Sequence, residues 1–179
     1  MTEQQELLCL CAAASSLDTR FEKLLSAITD RDGNIVQCNL TRHGSAGVLT
    51  VSVGGHWGAL SRIEAAIPAL QESLGMTISV LRTNAENGQR EFRPYAAELY
   101  APTQSGLIPA VMGFFNDAQV LIRDMSAQEY RSGVSGGELL NLTLILDVPM
   151  NLSPQSLRES YMDFCDELRA DGVLDPIKA

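Results

Sequence analysis

Residues 49–81 read LTVSVGGHWGALSRIEAAIPALQESLGMTISVL. Leu49, Val51 and Val53 alternate with Thr50 and Ser52, the period of a strand with one buried face. Gly54-Gly55 breaks the alternation. Leu60, Ile63, Ile67, Leu70 and Leu74 then recur at helical spacing, Gly75 ends the helix, and Met76 to Leu81 resumes as a strand. The period switches from two to 3.6 and back within one stretch, so helix and sheet must pack as alternating units of a mixed fold.

Upstream, His43-Gly44-Ser45-Ala46-Gly47 reads as a hairpin turn that joins this strand to one running from Ile35 to about Arg42. Phe21, Leu24, Leu25 and Ile28 mark a helix. It is entered through Ser15-Ser16-Leu17-Asp18-Thr19, where Asp18 suits an N-cap, and stopped by Asp32-Gly33-Asn34, residues that tolerate positive φ. The run Leu7 to Ala14 is apolar on both faces, as in a central strand covered on both sides or a strand against helices. The order is βαββαβ.

Downstream, the polar stretch after Leu81 carries a linker at 84–93, and the same order then repeats. Pro94 to Ala101 is a strand and Pro102 to Gly106 a turn. Ile108, Val111, Met112 and Phe115 make a short helix, and Val120 to Met125 a strand. Leu140, Leu142, Leu144, Leu146 and Val148 alternate with Asn141, Thr143 and Asp147, the clearest strand in the chain. Ser153-Pro154 is an N-cap with proline at the first helical position, ahead of Leu157, Tyr161, Phe164 and Leu168. Val173 to Ile177 is a weak last strand. The reading is an α+β chain of two tandem ferredoxin-like βαββαβ domains, 1–83 and 94–179, each an antiparallel sheet with its helices on one face. The other face of each sheet is left open, with Thr50, Ser52, Asn141 and Thr143 on or near it.

Composition excludes several functions. The 179 residues carry 13 basic and 22 acidic side chains, a net charge of -9. That surface is unsuited to direct nucleic-acid binding or to docking on anionic lipid. No apolar run approaches the ~20 residues of a spanning helix, and the N-terminus carries acids instead of a basic leader, so a cytoplasmic protein is expected. The four cysteines form no C-x-x-C pair. Cys9 and Cys11, two apart in a strand, share one face and read as buried or idle packing thiols. Gly54 to Gly58 lacks the spacing and the lysine of a phosphate loop, and no cofactor fingerprint occurs elsewhere. Trp57 reads as a core or rim anchor of its helix, His43 and His56 as solvated turn residues, and Glu64 and the acids from Asp163 to Asp171 as a solvated face. No metal-ligand cluster and no nucleophile–base–orienter set emerges, which points away from an enzyme.

Two stretches carry a resemblance. Asp32-Gly33-Asn34-Ile35 matches the helix-to-strand junction of the ACT domain, and Gly55 to Pro68 is similar to the Gly-x-Trp-x-Ala-(Leu/Ile)-x-x-Ile-Glu-x-x-(Leu/Ile)-Pro stretch of the bacterial glycine cleavage system transcriptional repressors. Those are tandem ACT proteins without a separate DNA-binding domain. The resemblance implies an amino-acid-responsive regulator that acts through protein contact, with a DNA-binding transcriptional activator as partner, a homo-oligomeric state and a small amino acid, glycine first, as effector. It also implies a ligand site at the first strand–helix turn, where a glycine-bearing loop offers amides to a carboxylate. The first such loop here, Ser16 to Arg20, has no glycine or proline, whereas the second keeps one at Gly106. The ligand residues the resemblance implies are therefore Ser105, Gly106 and Leu107, with Asn34 and Ile35 contributing from the first unit. A scaffold that binds no ligand and an enzyme on the same ferredoxin-like frame are the two alternatives.

Overall fold

The computed structural model describes residues 6–85, 92–131 and 136–177. The chain divides into two compact units, Met1–Asn87 and Gly88–Ala179. The first holds β1 (Glu6–Ala14), α1 (Arg20–Thr29), β2 (Asn34–His43), β3 (Ala46–Gly54), α2 (Trp57–Leu74) and β4 (Thr77–Asn84). The second holds β5 (Phe92–Pro102), α3 (Leu107–Asp117), β6 (Leu121–Arg131), β7 (Glu138–Pro149), α4 (Pro154–Leu168) and β8 (Asp171–Pro176). Each unit is the expected βαββαβ. Of the linker read at 84–93, residues 86–91 lie outside the described residues, while Asn84 and Phe92 belong to the flanking strands.

The two sheets have one topology. The strand orders are β2-β3-β1-β4 and β6-β7-β5-β8, every pairing antiparallel. In each the first and third strands lie at the centre, so their inward residues are the most buried. Leu8, Leu10, Leu49, Val53, Leu60 and Ile63 have no exposed surface in the first unit, nor do Leu99, Leu142, Leu144, Leu146 and Phe115 in the second. Burying one such side chain stabilises by about 2 kcal/mol. Each unit thus has a core of its own, closed by two helices on one face of its sheet. The second core adds an aromatic group in which Phe114 stacks on Phe164 at 4.7 Å between centroids and meets Phe115 edge-on at 5.1 Å. Tyr161 is fully buried and donates its hydroxyl proton to the Glu98 carbonyl at 2.9 Å. Burial pushes its phenol pKa far up, so it stays neutral.

Both second strands carry a bulge at the same place, between Ile35 and Gln37 and between Ile122 and Asp124. The extra residue differs. Val36 is 55% exposed in the first unit. In the second, Arg123 reaches Asp147, a polar side chain buried to 9% exposure on β7, through two hydrogen bonds. The position matching Asp147 in the first unit is Gly54, which leaves no carboxylate to neutralise.

Sequence and structure part at several residues. Of the two readings of β1, the strand against helices holds and the cover on both sides does not: Leu8, Leu10, Ala12 and Ala14 are buried, while Cys11 on the opposite face is exposed. Trp57 is not a core residue, being 69% exposed at the first position of α2. His56 is exposed but is also the N-cap of α2, its Nδ1 accepting from the Ala59 amide at 3.2 Å. Glu64 is half-buried and accepts two hydrogen bonds from Arg82, at 2.9 and 2.8 Å, which tie α2 to β4. At the α1–β2 junction the left-handed residue is Asp32 (φ 63°). Gly33 is required there for space, because a Cβ would lie 2.7 Å from Ile63 Cδ1 and 2.8 Å from Ile28 Cγ2.

Candidate functional site

The β1–α1 turn of the first unit is built around one carboxylate. Asp18 Oδ1 accepts from the Arg20 amide at 3.0 Å, capping α1, and its two oxygens take the Arg20 guanidinium at 2.8 Å each. Ser16 donates its hydroxyl proton to the same carboxylate at 2.7 Å. Thr19 occupies the N-cap position without a side-chain bond of its own, so the expected cap is Asp18 acting from one residue earlier. The donors hold the Asp18 carboxyl well below the usual carboxylate range, with the Arg20 side chain the largest cause. A free amide at a helix start attracts an anion. Here the chain supplies that anion itself. Arg20 Nη1 also donates to the Gly75 carbonyl at 3.2 Å, which joins this turn to the end of α2.

Beside the turn runs an open groove of about 670 Å³ between α1 and β2. Leu17, Phe21, Leu25, Ile35 and Leu40 form its apolar floor, and Asp18, Thr19 and Ser26 stand among its polar lining. The lining contains no histidine, cysteine or lysine, and its ionisable groups are the Asp18 and Glu22 carboxyls. Its chemistry suits an apolar group. Among the described residues no cluster of three or more His, Cys, Asp or Glu is placed to hold a metal ion.

Of the first unit's two expected ligand residues, Ile35 lines the groove, while Asn34 is an exposed strand residue paired with Gly54 and is not part of the lining. Leu17 and Leu40 were missed as groove residues. Leu40 had a signal: it is an aliphatic residue flanked by Asn39 and Thr41 on an otherwise polar edge strand.

The matching turn of the second unit is built differently. Gly106 is the N-cap of α3 with φ 84° and no side-chain cap. It is exposed, as is Ser105, and a Cβ at Gly106 would meet nothing within 4 Å. The backbone angle alone therefore accounts for glycine. Leu107 sends its side chain into the core and offers the turn only its amide, and Pro109 in the first turn has no N–H. No acid stands in that first turn. The two turns occupy equivalent places in their units, one filled by its own carboxylate and one without a side-chain cap.

Two βαββαβ units with this strand order define a tandem ferredoxin-like chain, the fold that the resemblance at residues 32–68 implies. Solved structures match over the full length. A protein provisionally described as a glycine cleavage system transcriptional repressor superposes with a TM-score of 0.74 at 19% identity, covering 99% of this chain and 100% of that one. An unknown protein from Galdieria sulphuraria gives 0.73 at 18% identity, covering 98% and 100%. At such identities the likeness is one of fold, and in fold the chain resembles the repressor along its whole length. No protein-family model and no curated protein matches the chain. No helix among the described residues is long and apolar enough to cross a membrane.

Proposed function

We propose that this chain is a non-catalytic, amino-acid-responsive regulator that changes the activity of another protein by contact, in the manner of a glycine cleavage system transcriptional repressor. The observation that carries the reading is the difference between the two strand–helix turns on a fold matched from end to end by a protein so described. In the first turn Asp18 takes the Arg20 amide, while the start of α3 has no side-chain cap and leaves the Leu107 and Ile108 amides for an amino acid's carboxylate. Ser105, Gly106 and Leu107 supply the loop in this reading, and glycine is the first effector to test. The partner in this reading is a DNA-binding transcriptional activator, as the family resemblance implies, and a net charge of -9 disfavours contact with DNA by the chain itself.

The test is a thermal-shift screen of the twenty amino acids followed by calorimetric titration. A true effector at about 100 times its Kd adds roughly 2.7 kcal/mol of stability. Gly106→Asn keeps a residue that tolerates positive φ while placing a side chain in front of the amides, and it is expected to abolish binding with the fold retained. Binding lost in Thr19→Val and intact in Gly106→Asn overturns the assignment. No response to any amino acid favours a second reading, an assembly module without a ligand. That reading is supported by the sufficiency of φ 84° as the reason for Gly106.

A further inference from the structure

We propose that the open face of the second unit's sheet docks a basic surface of a partner protein, one that brings arginine side chains. Strand register fixes what this face presents. The row Gln128–Asn141–Tyr100–Asp171 crosses all four strands. The next row places Glu98 beside Val173, and the third sets Asp124 and Asp175 at its two ends. No basic side chain stands in these rows. Arg158 on α4 reaches Asp175 at 3.0 Å. Among the described residues no cation lies within ion-pair distance of Glu98, Asp124 or Asp171. Arg123, at the bulge beside Asp124, is already held by Asp147. The matching rows of the first unit, centred on Asn39–Thr50–Cys11–Ser79, carry no acid and no strong base.

Charge selects the occupant. A second copy of this face sets carboxylates against carboxylates, and nucleic acid or anionic lipid brings phosphates to them. A cationic surface is attracted instead. The remaining side chains select a protein over a free cation. Tyr100 and Tyr130 are 37% and 42% exposed, aromatic groups of the kind that anchor protein contacts, and Val173 adds aliphatic area between the acids. Asn141, beside Tyr100 in its row, has its Oδ1 closed from solvent and without a donor. A guanidinium answers these features together. It grips a carboxylate with two parallel N–H groups, has further protons for neutral acceptors and lies flat on a tyrosine ring, whereas an ammonium is a point charge without the fork. Strand spacings give the face about 14 Å across and about 20 Å from Tyr130 to Asp124, the scale of a small, transient contact. This inference rests on the reading of the chain as a regulator that works by contact, and a DNA-binding partner carries a basic surface by its own chemistry.

The full-length chain tests it with a synthetic arginine–serine repeat peptide as probe and lysine–serine and glutamate–serine repeats beside it. Fluorescence anisotropy reads the affinity and backbone amide shifts read the place. The arginine peptide is expected to bind, the lysine peptide more weakly and the glutamate peptide not at all, with shifts gathered on the outward residues of β5 to β8. Glu98→Gln with Asp171→Asn is expected to weaken the arginine peptide roughly five- to tenfold at unchanged circular dichroism. Asp163→Asn with Glu167→Gln removes the same charge from exposed positions on α4 and is expected to leave the affinity as it was. Tyr100→Ser should weaken binding with no change of net charge. If the first double variant fails to fold, Asp124→Asn replaces it. No binding of the arginine peptide, equal losses in the face and α4 variants, or shifts spread over acids elsewhere overturns the proposal. Response to an amino acid without peptide binding overturns this surface alone and leaves the regulator reading standing.

Discussion

The two units share their element order, their strand order and a bulge at one place in their second strands, yet almost every exposed feature differs. The first spends a carboxylate on its own helix start and keeps its open sheet face free of charge. The second leaves its helix start without a side-chain cap, puts Glu98, Asp124, Asp171 and Asp175 on its open face, and needs the Arg123–Asp147 pair where the first has Val36 and Gly54. The difference teaches that this topology constrains only the inward half of each strand. What faces outward is free to differ, and in the two units it does.

The sharpest way to break the comparison is to ask whether the units are independent. Leu10 and Leu144 are fully buried inward residues of the two sheets, one in each core. Leu10→Ala and Leu144→Ala are each expected to cost about 3 kcal/mol in the unit that carries them. Hydrogen exchange read unit by unit should show protection lost on one side only. Loss on both sides from either substitution means that the cores are coupled.

A smaller effect separates two reasons for glycine. Gly33→Ala forces a Cβ to within 2.9 Å of the Ile28 carbonyl as well as the Ile63 and Ile28 side chains, an overpacking expected to cost about 2 kcal/mol. Gly106→Ala meets open space and carries only the strain of φ 84°, about 1 kcal/mol. Chemical denaturation of the two variants checks the order, and a reversed ranking means that the Gly33 junction relaxes freely.

The smallest effect is a pair of opposite pH responses. The folded state holds the Asp18 carboxyl below its ordinary value of 3.8, so its contribution is complete above that value and is lost as pH falls from there toward the folded one. Glu129 is shifted the other way by its hydrogen bond with Glu138. A carboxyl raised by folding disfavours the native state once it ionises, and acidification through its folded value relieves that cost. Melting curves against pH should show Asp18→Asn removing part of the acid-side fall of the first unit. Glu129→Gln should flatten a gain in the second. An acid-side fall that persists unchanged in Asp18→Asn refutes the first half.

Much of the fold was legible because inward strands announce themselves. Leu49 to Val53 and Leu140 to Val148 alternate cleanly, and both are central strands half-covered by helices. Edge strands were less legible. β4 runs three residues past Leu81 to Asn84, and β6 runs from Met125 on to Arg131, over polar residues whose ladder bonds leave no hydropathic trace. Trp57 was misread because size suggests burial, whereas the turn at Gly54-Gly55 sets the start of α2 so that its first residue points to solvent. For the candidate site the sequence located both strand–helix turns. It could not reveal that Asp18 is held by Arg20, since a two-residue spacing of opposite charges is common and only the geometry makes it a clamp.

That clamp has a reach beyond its own turn. Arg20 touches the Gly75 carbonyl, and Gly75 is the left-handed residue at which α2 reverses into the edge strand β4. The amide of Met76 returns to the Gln71 carbonyl at the same corner. Arg20 therefore touches two places at once, the start of α1 and the end of α2, although they lie 55 positions apart along the chain. The corner is built as a hasp: one side chain fastens both the start of α1 and the end of α2 where the chain turns into an outer sheet strand.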